Sequence, residues 1–412
     1  MSFPRYSGYK PSGVNWLGSI PAGWNLFRLK DIAMIINGYP FDSRYFDVNG
    51  QYPVVRIRDL NSSETEARYS GDFVESAVVT SSDVLIGMDG DFNVGRWLGS
   101  EAALLNQRVC CVRSESSELS TVLLHALPIP LKATNDITYS TTVKHLSSLD
   151  VEKVRVALPS QKDELAAIAA FLDRETAKVD TLVAEQEKLI ALLEEKRQAV
   201  ISHAVIKGLD LDVPMKPSGT EWLGDVPAHW DVVPLKWLTD PQRAIMYGIV
   251  LPGPDVGEGI PILKGGNVKP SRMNLGSMAR TTPEIEAPYA RARLKSGDLV
   301  YSIRGTIGDC EKVPPELEAC NITQDVARVA VKGGVCAGWV RWALLASAVR
   351  EELASGSLGA AVRGVNIFDL KRAMLPTPPF DEQVAISAFI EAETSKLDAL
   401  TREAERAVTL LK

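Results

Sequence analysis

The chain repeats its own plan, and the repeat constrains its fold more than any composition does. Lys10-Pro11-Ser12-Gly13 recurs as Lys216-Pro217-Ser218-Gly219, and Trp16-Leu17-Gly18 as Trp222-Leu223-Gly224. Pro21-Ala22, Trp24 and Leu29-Lys30 recur as Pro227-Ala228, Trp230 and Leu235-Lys236, every pair offset by 206. A second block runs Glu164, Ile168, Ala170, Phe171, Glu175, Thr176, Lys178, Asp180 and Leu182. It returns as Glu382, Ile386, Ala388, Phe389, Glu393, Thr394, Lys396, Asp398 and Leu400, offset by 218. Between the blocks only skeletal echoes remain: Asp83–Gly90 resembles Asp298–Gly305, and Asp150 with Pro159 resembles Asp369 with Pro378. The plan is a constant frame, a variable insert and a constant helix, then the same again.

The helices are the clearest elements. Positions 161–206 contain neither Pro nor Gly. Leu165, Ile168, Leu172, Val179, Leu182, Leu189, Leu193 and Val200 follow steps of three and four, with turns skipped at Glu175, at Gln186 and between Leu193 and Val200, which reads as a heptad seam. Ile386, Ile390, Leu397, Leu400, Ala404, Ala407 and Leu411 keep the same phase in the second copy. At ~1.5 Å per residue the first helix is a rod of roughly 70 Å. One-faced helices of this length need a partner, so the two are expected to pair antiparallel. Packing of each helix on its own insert is the alternative. Glu175 and Glu393 fall on the expected seam, where burial would be costly. The inserts read as irregular α/β: short runs such as Tyr52–Ile57 and Asp298–Ile303 are bounded by Gly, Pro, Asn and Asp. The expected class is α+β, with two α/β domains, two long antiparallel coiled-coil helices and a pseudo-twofold internal repeat. The expected divisions are 1–160, 161–208, 209–377 and 378–412.

Other properties narrow the function. The five cysteines form no C-x-x-C and there are four histidines, which argues against a disulfide framework or a zinc site. The sequence lacks a membrane-length apolar run and a secretory leader, so a cytoplasmic location is expected. Net charge is −7, unusual for a nucleic-acid binder, yet positions 209–377 hold 19 basic and 19 acidic residues. Walker-type, G-x-S-x-G and H-E-x-x-H motifs are missing. Thr377-Pro378-Pro379-Phe380 mimics only the end of a methyltransferase Asn-Pro-Pro-aromatic run, and Pro254-Asp255 lacks the acidic-x-Lys partner of a nuclease. No chemistry is expected of the chain itself.

The doubled Lys-Pro-Ser-Gly…Trp-Leu-Gly…Pro-Ala…Trp frame resembles the DNA-specificity subunits of Type I restriction–modification systems. So do the helix starts at Leu158–Thr176 and, more loosely, Leu375–Thr394. The resemblance spans the whole chain in architecture and is weak within the inserts. It implies two target-recognition domains joined by a helical spacer. It also implies double-stranded DNA, two modification (methyltransferase) subunits and restriction (motor–nuclease) subunits as partners, and no membrane. S-adenosylmethionine, ATP and magnesium would then belong to the partners, and the chain would hold no cofactor. The second helix stops opposite Glu194, short of equivalents for Glu195–Gly208.

On that footing each insert reads one short sequence in a major groove, and the helices set the unread gap, with heads near ~34 Å apart to face one side of DNA. Candidate base readers in the first insert are Tyr39, Arg56, Arg58, Asn61, Arg96, Gln107 and Arg108. In the second they are Lys264, Asn267, Lys269, Arg304 and Gln324. Arg and Lys suit guanine, and Asn and Gln suit adenine. For each, a solvated strand edge or turn is the alternative. Lys144 and Arg363, at matching places, are candidates for phosphate contact. Arg174, Glu175 and Lys178, with Glu393 and Lys396, are candidates for docking the modification subunits; solvated helix faces are the alternative. The frame tryptophans Trp16, Trp24, Trp222 and Trp230 are expected to pack insert against helix rather than stack on bases. Two rival functions remain at this stage: an enzyme of unrecognised motif, and a coiled-coil adaptor that does not touch DNA.

Overall fold

A computed structural model describes residues 5–137, 145–355 and 364–412. The chain divides into two compact units, Met1–Leu182 and Val183–Lys412, and the long helix Lys162–Lys207 contributes to both.

In the first unit the frame opens with a hairpin, Tyr9–Pro11 against Ser19–Pro21. The next strand, Trp24–Arg28, pairs antiparallel with Arg155–Pro159, the strand that leads into the long helix. The insert lies between these two strands. Its core is formed by two four-stranded sheets. One runs Arg68–Tyr69, Tyr52–Val55, Ala103–Leu105, Val78–Val79, and the other Met34–Asn37, Val109–Arg113, Val84–Gly87, Val94–Gly95. Runs such as Val84-Leu85-Ile86 and Val109-Cys110-Cys111-Val112 are apolar at every position because both faces are covered. Helix Ser117–Ala126 starts at Ser116, whose side chain caps Leu119 N, and packs Val122 and Leu123 into the same core.

The second unit repeats this order. A hairpin of Met215–Pro217 and Asp225–Pro227 precedes Asp231–Pro234, which pairs antiparallel with Met374–Thr377. Between them lie a four-stranded sheet (Met246–Tyr247, Val326–Val329, Leu299–Ser302, Cys310–Lys312) and a three-stranded one (Ala279–Thr281, Ile260–Leu263, Asn321–Ile322). Helix Phe380–Leu411 follows. The expected α+β class and duplicated plan are therefore observed.

One bond recurs where frame meets helix. Trp24 Nε1 donates to Glu164 Oε1 at 2.8 Å, and Trp230 Nε1 to Glu382 Oε2 at 2.8 Å. The partners are 140 residues apart in the first copy and 152 in the second, so the bond spans inserts of different length. Trp230 is buried, and Trp222 packs on the same core. Trp16 lies over a crevice with Pro130, Asp150 and Arg155. Trp24, Trp222 and Trp230 thus have the expected packing role between frame and helix.

Within the second unit the two long helices run antiparallel. Arg197 Nε bonds Asp398 Oδ1 at 3.3 Å, and Lys412 Nζ bonds Glu187 Oε1 at 2.9 Å. The seam read in the sequence holds in part: Leu193 on one helix and Ile386, Ile390, Leu397 and Ala404 on the other are buried, whereas Leu189 and Leu400 are exposed. Thr394 is buried as well, and Gln186, Ile190 and Arg197 are half-buried. Ile201, Ala204, Ile386 and Ile390 join the core of the second insert. In the first unit Leu182 is also exposed. Glu393 is not the seam residue of its turn: Thr394 is, with its hydroxyl bonded to Ile390 O at 2.7 Å. A polar side chain holds a covered place when it has a partner, as Arg197 has Asp398, so apolar spacing alone found only part of the stripe.

Leu193→Asp is expected to lower the unfolding free energy of the second unit by about 2 kcal/mol or more, because it buries an unpaired charge. Leu189→Asp should change it by less than about 0.5 kcal/mol. Urea unfolding followed by helix dichroism distinguishes them, and equal effects would restore the sequence-read seam.

Candidate nucleic-acid interface

Sheet topology gathers most of the candidate readers of the second unit at one end. Ile260–Leu263 and Asn321–Ile322 are parallel, so both leave their sheet on the same side, at Lys264 and at Thr323-Gln324. Leu299–Ser302 ends beside them, with Ile303 N bonded to Asp325 O at 2.8 Å. Arg304 is exposed, and its Nη1 donates to Gln324 Oε1 at 3.1 Å. Lys264 is exposed and opens a short turn; its backbone N bonds Asn267 Oδ1 at 3.1 Å. Asn267 spends its amide group on Ser277 O at 3.3 Å, so it shapes the turn. Lys269 follows, exposed.

The first unit builds the same end with other side chains. Tyr52–Val55 and Ala103–Leu105 are parallel and leave at Arg56 and Asn106-Gln107-Arg108. Tyr39 joins them through a parallel bridge to Asn106, as Ile249 does to Thr323. Both bridges depend on glycine: a Cβ on Gly38 would lie 1.9 Å from Asn106 O, and one on Gly248 1.9 Å from Ile322 O. Met88 N bonds Arg108 O at 2.9 Å, matching Ile303 to Asp325. Asp89 therefore stands where Arg304 does, Gln107 where Gln324 does, and Arg108 where Asp325 does.

The charges are exchanged between the two ends. Asp89 is ion-paired with Arg108, and His145 Nδ1 lies 2.7 Å from its other oxygen. Desolvation works to raise the Asp89 carboxyl, but the bonds from His145 and Arg108 outweigh it and hold it below the ordinary range. Asp89 was not among the sequence-read candidates. Its signal was the echo of Asp83–Gly90 in Asp298–Gly305, which places it opposite Arg304.

The remaining candidates are scattered. Arg56 is half-buried, bonded through Nε to Asp59 Oδ2 at 2.8 Å and through Nη2 to Thr65 at 3.3 Å. Arg58 is exposed in a shallow depression with Glu64 and Glu66. Asn61 has φ 61° and accepts from Arg96 N at 3.0 Å. Arg96 follows Gly95, which pairs with Leu85 away from the strand end, and its guanidinium turns inward to Thr121 Oγ1 at 3.3 Å. Gln107 is exposed at the turn. Lys144 and Arg363 lie outside the described residues. On the helices Glu175 bonds Arg174 at 2.9 Å and Lys178 at 3.0 Å, and Lys396 bonds Glu393 at 2.6 Å. Arg174, Lys178 and Leu182 also line a mainly apolar patch with Ala177 and Thr181. Among the described residues no His, Cys, Asp or Glu cluster has the makings of a metal site, and no helix is long and apolar enough to cross a membrane.

The strands Val84–Gly87 and Leu299–Ser302, which lead to these ends, are each anchored at their opposite end by a buried aspartate. Asp83 binds Arg113 through Oδ1 at 2.8 Å, and Asp298 binds Arg243 through Oδ2 at 2.6 Å. Both cap the same local turn, accepting from Thr80 N and Lys295 N. Burial pushes the Asp83 carboxyl up, and Arg113 with Thr80 brings it to a net position below the ordinary value. Because that pKa is depressed in the folded chain, its contribution is complete above about pH 4 and disappears as pH falls through the lower folded value. Asp83→Ala is expected to destabilise the first unit by about 2 kcal/mol at pH 7. In denaturant titrations the gap between variant and parent should narrow as pH falls below about 4; a gap independent of pH would refute the charged role.

Comparison with known proteins gives this geometry a context. Residues 21–191 match the Type I restriction modification DNA specificity domain. The chain is 32% identical over 402 residues to the Type I restriction enzyme EcoBI specificity subunit of Escherichia coli, covering 96% of this chain and 84% of that protein. It is 23% identical over 430 residues to the putative type I restriction enzyme MjaX specificity subunit of Methanocaldococcus jannaschii, covering 98% and 94%. Its fold resembles a chain from a study of complex assembly and conformational transition of the type I R-M system, with TM-score 0.67, 17% identity and 95% of each chain covered. It also resembles the HsdS subunit from Thermoanaerobacter tengcongensis, with TM-score 0.50, 17% identity and 95% of each covered. With nearly its whole length aligned to the Escherichia coli subunit, this chain belongs to the family of Type I restriction–modification specificity subunits.

Proposed function

We propose that the chain supplies DNA-sequence recognition to a Type I restriction–modification complex and catalyses no reaction itself. One observation carries this reading: the same strand end is built twice, on matching backbones, with dissimilar polar side chains. Asp89, Gln107 and Arg108 occupy in one unit the places of Arg304, Gln324 and Asp325 in the other. Two equal frames with unequal contact groups suit the reading of two unequal short sequences in double-stranded DNA.

The helix Lys162–Lys207 contributes to both units, so its residue count sets the number of base pairs left unread between the half-sites. Arg174, Glu175 and Lys178 with exposed Leu182 in the first unit, and Glu393 with Lys396 in the second, are the surfaces offered to the two methyltransferase subunits, one for each. Restriction subunits join that assembly. S-adenosylmethionine, ATP and magnesium act on those partners.

Methylome sequencing of cells carrying the complete system tests the reading, with an asymmetric bipartite motif as the expected result. Absence of any motif, or a single continuous one, refutes it. Inserting four residues at Glu185 adds ~6 Å of helix, and the expected outcome is a changed gap with both half-sites intact. Replacing positions 30–150 should alter one half-site only.

A further inference from the structure

The Arg304–Gln324 bond decides what the second unit's strand end can recognise. Glutamine reads adenine with both ends of its amide: Oε1 accepts from the N6 amino group while Nε2 donates to N7. Gln324 has its Oε1 engaged by Arg304 Nη1 at 3.1 Å. That bond takes one of the two lone pairs of Oε1 and turns it toward the guanidinium, which has nothing but donors. The exposed member of the pair, Arg304, thus presents N–H groups alone.

In the major groove guanine offers O6 and N7, two acceptors side by side. Adenine places an amino donor beside N7 and cytosine offers its amino donor, so each would set donor against donor. Thymine has one acceptor and a methyl group. We infer that Arg304 and Gln324 form a guanine-reading pair, in which Arg304 contacts the base and Gln324 is a positioning residue that holds the guanidinium. The inference rests on the DNA-reading function proposed above and deepens it. It also reverses the assignment of Gln324 to adenine that residue type alone suggested.

The pair is anchored on both sides. Gln324 N bonds Ile249 O at 2.9 Å, and Arg304 N bonds Asp325 O at 3.3 Å, so two backbone segments fix the two side chains. A donor fork held before binding loses less rotamer freedom on contact. The first unit lacks this device: Gln107 is present, but Asp89 stands in the place of Arg304 and is engaged by Arg108 and His145. One half-site only is affected.

The test uses the full chain assembled with its modification subunits and a randomised DNA library, with methylated sites read by sequencing. Arg304→Ala is expected to relax one G·C position in one half-site, with roughly tenfold or greater loss of preference there and none elsewhere. Gln324→Ala should weaken the same position, leave every adenine position intact, and add nothing in an Arg304→Ala background. Gln324→Glu, which still accepts from Arg304, should restore it. Replacing that guanine by 7-deazaguanine should weaken binding of the unsubstituted complex roughly tenfold and that of Arg304→Ala hardly at all. Loss of an adenine position in Gln324→Ala overturns the inference, as does an unchanged motif in Arg304→Ala. Uniform weakening at all sequences with a smaller salt dependence also overturns it, because that marks a phosphate contact. If the unsubstituted complex yields no bipartite motif, the DNA-reading function itself fails.

Discussion

The bond from a frame tryptophan to the first glutamate of the following helix block closes each copy of the plan. A hydrogen bond to a carboxylate contributes roughly 1.5–3 kcal/mol when shielded, and here it sits beside the strand pairs Trp24–Arg28 with Arg155–Pro159 and Asp231–Pro234 with Met374–Thr377. Together they bring the beginning and end of each insert to one place. Everything between can then vary in length, as the 140- and 152-residue separations show, without moving the helix start. The bond also explains why Trp and Glu both recur although their offsets, 206 and 218, differ.

How much of this was legible follows from the kind of residue that carries it. The frames were legible because Trp, Pro and Gly in register have few substitutes. The helices were legible by length and by the lack of Pro and Gly, and the class and duplication follow from them. The seam was legible only in part, because leucine marks apolar surface without saying which side is covered. Leu193, Ile386, Ile390, Leu397 and Ala404 were assigned correctly, but Leu182, Leu189 and Leu400 are exposed, while polar Arg197 and Thr394 are covered. Each of these polar groups is acceptable there only through a partner, such as Asp398 for Arg197 or Ile390 O for Thr394, that no periodicity displays.

The candidate readers divide in the same way. Arg304 and Gln324 were chosen for residue type and stand together at the strand end, whereas Arg96, chosen by the same rule, turns inward toward Thr121. Side-chain type states what a group can bond, and only the backbone path states where it points. Asp89 shows the converse. An acid is a poor partner for phosphate, so composition argues against it, yet the repeat places it opposite Arg304.

That exchange of charge bears on how an acidic chain can read DNA. Several cations at the strand ends are already matched by neighbouring acids: Arg108 by Asp89, and Arg56 by Asp59. They add little long-range field but keep directed N–H groups, and direction is what base recognition needs. Buried Asp83 and Asp298 anchor the far ends of the strands that lead to each site, and Gly38 and Gly248 allow the bridges at the site itself. With the backbone determined by these groups, an exposed position such as Gln107 or Arg304 can change its side chain without disturbing the core. On the function proposed above, discrimination between sequences would reside in a few such exposed groups on an unchanged scaffold, and an acidic chain would leave most of the attraction to the phosphate backbone to the rest of the complex.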